Sequence, residues 1–390
     1  MTPTATDRLF TSRFFVMCGF SFTVFLSAFQ LLPTAPFHII DLGGSTFASG
    51  LFLGFLTYAS AISAPITGAF ADRAGQRRVL IWTSMALTVF SLLYAVITDF
   101  RLILALAILH GFFWSGLLSA SAAYMTNMLP ERRRAEGIGY WGLSTIAAIA
   151  VAPATGFWLY RRGWLILCLV AAALNVGMAL IAWRLKDGPA QPRPTGAAKA
   201  HGLLEWRVLA ISGTLFLYSF GYGGITSFTG LYADANGTRP TGLYLTTLAL
   251  VILVTRPFSG PLGDRIGYKR VFTPCLVFIS VGLALLAAGG TREWMIASAV
   301  VFGIGFGTAY PAYIGYVMKG VDPQRRGAAF GAILAAFDTG IGTGSTSMGW
   351  LIQRYDFSLA FSVAAALAAL ALPYFLIVDR LLSRNDAVNG

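Results

Sequence analysis

Gly68-Ala-Phe-Ala-Asp72-Arg73-Ala-Gly75-Gln-Arg77-Arg78 stands between two long apolar runs, and it occurs twice. The second copy, Gly260-Pro-Leu-Gly-Asp264-Arg265-Ile-Gly267-Tyr-Lys269-Arg270, lies 192 residues further on. Both read G-x-x-x-D-R-x-G-x-[RK]-R. Other features keep the same offset. Arg133-Arg134 with Gly139 recurs as Arg325-Arg326 with Gly331, and Gly111 and Tyr124 fall on Gly303 and Tyr316. A constant offset over half a chain means a duplicated unit.

The flanking runs decide the environment. Of 390 residues, 56% are hydrophobic and only 11% charged, with a mean hydropathy of +0.70. A soluble domain carries about 25% charge. Apolar runs of about 20 residues cross a bilayer, and twelve can be placed, at roughly 14–39, 46–70, 79–98, 102–127, 137–160, 163–183, 208–232, 242–263, 271–289, 294–318, 328–352 and 357–378. Each must be helical, because lipid offers backbone N–H and C=O groups no partner. The expected fold is therefore all-α and integral to the membrane. Its twelve transmembrane helices fall into two repeated halves of six, 1–183 and 208–390, joined by a linker at 184–207 rich in Pro, Gly and Ala; the resemblance named below implies that these halves are two pseudo-symmetric six-helix bundles.

The net charge of +12 is compatible with nucleic acid, but its distribution is not. Of 28 Lys and Arg, 21 fall on the side of the termini. Six (Arg101, Arg161, Arg162, Arg239, Arg292 and Arg354) fall on the other, and Arg256 lies inside a span. This asymmetry predicts both termini in the cytoplasm. The first apolar run exceeds a signal-peptide core and lacks an A-x-A site, so it reads as a span. Cys18, Cys168 and Cys275 fall within spans and read as small packing residues. No metal-ligand or catalytic cluster is legible, since His38, His110 and His201 are scattered. No G-x-x-x-x-G-K-[ST] phosphate loop is present. These features point away from a membrane enzyme and from ATP as the energy source.

The repeated loop resembles the signature between helices 2 and 3, and again between helices 8 and 9, of the major facilitator superfamily. Twelve spans and the central linker agree, and the resemblance covers essentially the whole chain. It implies two bundles rocking about a central site, with helices 1, 4, 7 and 10 lining the cavity and 2, 5, 8 and 11 forming the seam. It also favours a monomer; with no phosphate loop in the sequence, the expected energy source is an ion gradient, most simply protons, and no cofactor is expected. The fifth span carries Ala148-x-x-x-Ala152-Pro153-Ala-Thr-Gly156, which resembles in part the antiporter signature of drug-efflux members. Only Pro153 and Gly156 match strictly. Where many proton-coupled members have an arginine in span 4, this chain has Ala107.

Candidate cavity residues follow. Phe29 and Gln30 lie in span 1, and His110 and Trp114 in span 4. Tyr222 lies in span 7, and Tyr310 and Tyr313 in span 10. His110 either lines the cavity or bonds a neighbouring group as a neutral imidazole. Gly221, Gly223 and Gly224 are expected to weaken span 7 and expose its backbone to substrate. Asp338 and Arg256 lie about 15 Å and 12 Å from the inner ends of their helices at 1.5 Å per residue. Unpaired charge at that depth is costly, so a contact between them is expected, as a coupling switch or as a static ion pair. Their repeat equivalents, Ala64 and Ile146, are apolar.

The loops Gly68, Asp72, Arg73, Gly75, Arg77, Arg78 and Gly260, Asp264, Arg265, Gly267, Arg270 are expected to gate. Asp72 would brace the start of span 11 and Asp264 that of span 5. The expected function is secondary active transport of a small amphipathic or aromatic molecule across the inner or plasma membrane, with no nucleic-acid partner. Proton-coupled efflux stands first and proton-coupled uptake of a metabolite or sugar second.

Overall fold

Gly75 and Gly267, the turn glycines of the two loops, have nearly the same backbone, with φ of +92° and +94°. Only glycine takes that region without strain. Each ends one long helix and starts the next, so the duplication seen in the sequence is also one of geometry. The structure is a computed structural model that describes residues 9–130, 133–185, 206–321 and 325–389. Most of the linker lies outside that range. The side chain of Asp72, and with it the expected brace, and the surroundings of Gly260 also lie outside the described residues.

Thirteen helices make up the described residues: α1 (Ser12–Leu31), α2 (Ala35–Asp41), α3 (Thr46–Ala74), α4 (Gln76–Val96), α5 (Phe100–Met128), α6 (Arg134–Tyr160), α7 (Trp164–Arg184), α8 (Trp206–Ala235), α9 (Leu243–Ile266), α10 (Tyr268–Ala288), α11 (Arg292–Lys319), α12 (Arg326–Arg354) and α13 (Phe357–Asn389). α1 and α2 form one broken span, Ser12–Asp41. Pro33 and Pro36 supply no N–H there, and the Thr34 hydroxyl donates to the carbonyls of Gln30 at 2.7 Å and Leu31 at 3.0 Å.

Counting that pair once gives twelve membrane-length elements. Ten are long and apolar enough to cross a bilayer on composition alone, and α9 has a shorter apolar run, Leu243–Ser259. α12 is diluted by Gly, Ser and Thr. The chain is a multi-pass membrane protein.

Two hydrophobic cores form. One draws almost wholly on residues between Leu9 and Leu185, the other on Val208 to Phe375. Packing repeats with the sequence. α1 packs on α6, α3 on α5 and α4 on α7; correspondingly, α8 packs on α12, α9 on α11 and α10 on α13. The halves meet mainly through α3 against α12 and α6 against α9.

The seam is uneven along its length. At the end away from the two repeated loops it is very close. A Cβ on Gly50 would lie 2.4 Å from the Ser345 carbonyl oxygen, and one on Gly54 2.3 Å from Thr346 Oγ1. Ser345 Oγ donates to the Gly50 carbonyl at 2.8 Å, and Arg161 donates to Thr241 Oγ1 at 2.9 Å. At the loop-bearing, basic end the glycines of the same helices, Gly68, Gly139, Gly142 and Gly331, have open space where a Cβ would stand. Among the described residues, the seam is closed at the far end and parted at the basic end.

Candidate functional site

The parting begins in mid-span, and Asp338 stands where it begins. It is twelve residues into α12, about 18 Å from the helix start. Its Oδ2 accepts from Ser60 Oγ of α3 at 3.3 Å, a hydrogen bond from one half to the other. Tyr58 and Thr343 join one step further out at 2.9 Å. Among the described residues, Ser60–Asp338 is the cross-seam hydrogen bond nearest the basic end.

Beside Asp338 the second half presents a wall of rings. Tyr222 of α8 stacks on Phe306 of α11 with centroids 4.4 Å apart and planes at 21°. Tyr310 of α11 packs against Phe337 of α12 at 5.1 Å. Tyr222 and Phe337 are half-buried and touch both hydrophobic cores, so they face the space between the halves. The first half adds a smaller group. Phe25 stacks on Phe29 at 6.1 Å and meets Trp114 edge-on at 5.8 Å. Gln30, above it, is buried. Its Nε2 donates to Thr155 Oγ1 at 2.9 Å, while its Oε1 has no partner.

These contacts correct three expectations drawn from the sequence. Arg256 does not pair with Asp338. Its Nη1 donates to the Gly307 carbonyl at 3.4 Å, and Asp338 turns to Ser60. Equal depth along two helices fixes height but not direction around the axis, and the two side chains point to different neighbours. α8 is not broken at its glycines. Gly221, Gly223 and Gly224 are buried within one continuous helix. A Cβ on Gly223 would lie 2.0 Å from the Ile341 carbonyl oxygen, so the glycine admits α12 rather than a substrate. Asp264 does not brace the start of α6 in this conformation. It accepts from Tyr268 of its own loop at 2.5 Å, and the basic end is parted there.

His110 and Tyr313 point into the cores. His110 is buried against Phe90, with Nδ1 3.3 Å from the Tyr94 hydroxyl. Tyr313 is fully buried and hydrogen-bonded to Ser212 at 2.8 Å. Pro153 and Gly156 sit at the closed end of α6. Gly156 approaches the Gln30 backbone within 2.8 Å of a Cβ position, and the Pro153 carbonyl lies against Gly242 of the second half. Arg73, Arg78, Arg265 and Arg270 are exposed at the basic end, while Arg77 donates to the Trp183 carbonyl at 2.6 Å.

Sequence reasoning missed Ser60, Phe306, Phe337 and Asp379. Asp379 of α13 is buried and ties Lys269 of the second repeated loop, at 2.5 Å, to Tyr316 of α11. A signal existed for it. Asp187, Arg77 and Tyr124 occupy the corresponding places in the first repeat. Ser60 had none, being one of several serines on α3. A separate pocket of about 280 Å³ opens between α6 and α9 at the far end, lined by Phe157, Trp158, Arg161, Leu243 and Thr246 among others. It contains none of the predicted cavity residues.

A family model described as Major Facilitator Superfamily matches residues 9–239 and again 211–388. An uncharacterized MFS-type transporter of Escherichia coli K12, YhhS, is 28% identical over 371 residues, covering 90% of this chain and 89% of its own. Among solved structures, the nucleoside transporter NupG superposes with a TM-score of 0.73 at 17% identity, over 94% of this chain and 99% of its own. A POT family peptide transporter gives 0.78 at 14% identity, over 95% and 97%. At such identities the likeness extends to the fold and not to the cargo.

Proposed function

Because this chain belongs to the Major Facilitator Superfamily, we propose that it exports a small amphipathic or aromatic molecule by alternating access, in exchange for protons. The protein sits in the inner or plasma membrane as a monomer with both termini in the cytoplasm, and its parted basic end makes this conformation inward-facing. The gradient replaces any cofactor.

One observation carries the reading. Asp338, an acid in mid-membrane, bonds across the seam at the point where the halves part, beside the ring wall of Tyr222, Phe306, Tyr310 and Phe337. A carboxyl so placed serves two equilibria at once. It binds a proton or a substrate from the open side, and its bond to Ser60 contributes to the closed side. A ligand that changes its charge therefore changes the relative free energies of the two arrangements. Rings supply area without fixed hydrogen-bond demands, which suits amphipathic cargo. The cavity residues identified by their contacts lack the amide cluster a sugar would want, so export of an apolar-bodied compound stands ahead of proton-coupled uptake of a metabolite or sugar.

Proton movement in proteoliposomes, screened against amphipathic drugs, sugars and amino acids, tests this. Substrate-driven proton release that is lost in Asp338→Asn is the expected result. Proton uptake together with substrate would replace export by symport, and release that survives in the variant would remove Asp338 from the coupling step.

A further inference from the structure

Two ionisable groups of opposite sign, Asp338 and Arg256, stand in the second half, and no salt bridge joins either to a described residue. Asp338 has the Ser60 hydroxyl at 3.3 Å, and Arg256 has the Gly307 carbonyl at 3.4 Å. Both distances lie beyond ordinary hydrogen-bond length, so both contacts are weak. A guanidinium has five N–H donors, and one weak contact leaves most of them unused. Tyr310 lies within electrostatic reach of both Asp338 and Arg256. Tyr218 lies within reach of Arg256, and its buried hydroxyl has no partner. Uncompensated groups of this kind inside a membrane span are expensive to keep and mark a binding function.

The signs select the ligand. A purely anionic substrate placed by Arg256 would also feel Asp338, and a purely cationic one placed by Asp338 would feel Arg256. A ligand carrying both charges meets a favourable partner at each end. We propose that Arg256 and Asp338 form the two poles of a site for a zwitterion with an aromatic body. Its carboxylate bonds to Arg256 and the phenol hydroxyls of Tyr218 and Tyr310. Its ammonium bonds to Asp338, and its ring lies against Tyr222, Phe306 and Phe337. The planar guanidinium fork matches a carboxylate with two parallel hydrogen bonds. This site rests on the transport reading and sharpens it. The ammonium takes the place of the proton on Asp338: the carboxyl O–H breaks, the proton leaves to water on the open side, and the carboxylate accepts from the ammonium instead.

The test titrates the purified full-length protein in lipid nanodiscs, by calorimetry, with four forms of one side chain. Phenylalanine carries both charges, phenylalaninamide only the ammonium, N-acetylphenylalanine only the carboxylate and N-acetylphenylalaninamide neither. Phenylalanine is expected to bind tightest, and loss of either charge to weaken binding about 10- to 100-fold, the range for hydrogen bonds to charged groups. Arg256→Gln should erase the preference for a free carboxylate and keep that for a free amine, and Asp338→Asn should do the reverse. Arg256→Lys, which keeps the charge without the fork, should retain part of the carboxylate preference. Equal affinity for all four forms, binding of none, or a variant that lowers both preferences alike overturns the proposal. The four-way comparison decides on the wild-type protein alone if a variant fails to fold. Proton-coupled transport of an uncharged drug, together with equal binding of the four forms, would sink the zwitterion site and leave the transport reading standing.

Discussion

Gly50→Ala is a one-carbon change aimed at one conformation. The new Cβ would stand 2.4 Å from the Ser345 carbonyl oxygen of the opposite half. A relaxed C···O contact needs about 3.3 Å, so α3 and α12 must separate by about 0.9 Å at their closest crossing. Backbone faces backbone there, and no side chain can swing aside. Overpacking of this kind costs about 1–3 kcal/mol. The cost falls on the far-end-closed arrangement and vanishes when the seam opens there. A bias of that size moves the ratio of the two conformers by about 5- to 150-fold toward far-end-open. Spin labels at the far ends of α3 and α12, read by pulsed electron resonance in nanodiscs, measure it directly. Gly177→Ala is the control, because its Cβ meets open space. A distance distribution in Gly50→Ala that matches the control would refute the reasoning, and with it the claim that glycine contact holds the far end shut.

Two further outcomes follow from the same geometry. Gly223→Ala should destabilise the second half more than Gly224→Ala, because the first meets the Ile341 carbonyl oxygen at 2.0 Å and the second the flexible Met348 Sδ at 1.9 Å; thermal melts in detergent rank them. Asp379→Asn should cost about 1–3 kcal/mol, since it removes the charge that holds Lys269 and Tyr316, and a matched melt against Asp264→Asn, an exposed acid bonded within its own loop, separates the two.

The helices were legible because lipid leaves one solution to the backbone, and run length then sets their limits. The expected 102–127 and 242–263 became Phe100–Met128 and Leu243–Ile266. The apolar run expected at 328–352 became α12 even though Gly, Ser and Thr dilute it. The site was legible in height and not in direction. Asp338 and Arg256 lie close to the expected depth, about 18 Å and 15 Å from the inner ends of α12 and α9, but a helix completes a turn every 3.6 residues. Whether a side chain faces Ser60 or Arg256 is decided by packing that the sequence does not display. The glycines of α8 mislead for a related reason. Lost backbone entropy argues for a break, but Ile341 and Met348 occupy the space a side chain would fill, and that close packing offsets the loss. Phe306 and Phe337 were hidden among apolar neighbours that carry no mark of their facing.

A seam shut at one end and parted at the other makes the molecule a wedge. In the alternating-access reading, opening one end takes area from the leaflet on that side. Lateral pressure in that leaflet therefore does work against the parted arrangement, and lipids of small headgroup, which change how pressure is spread through the bilayer, alter that work. The bilayer is thus a thermodynamic participant in each transport cycle. Curvature and tension bear on the same equilibrium that the close approach at Gly50 is expected to set.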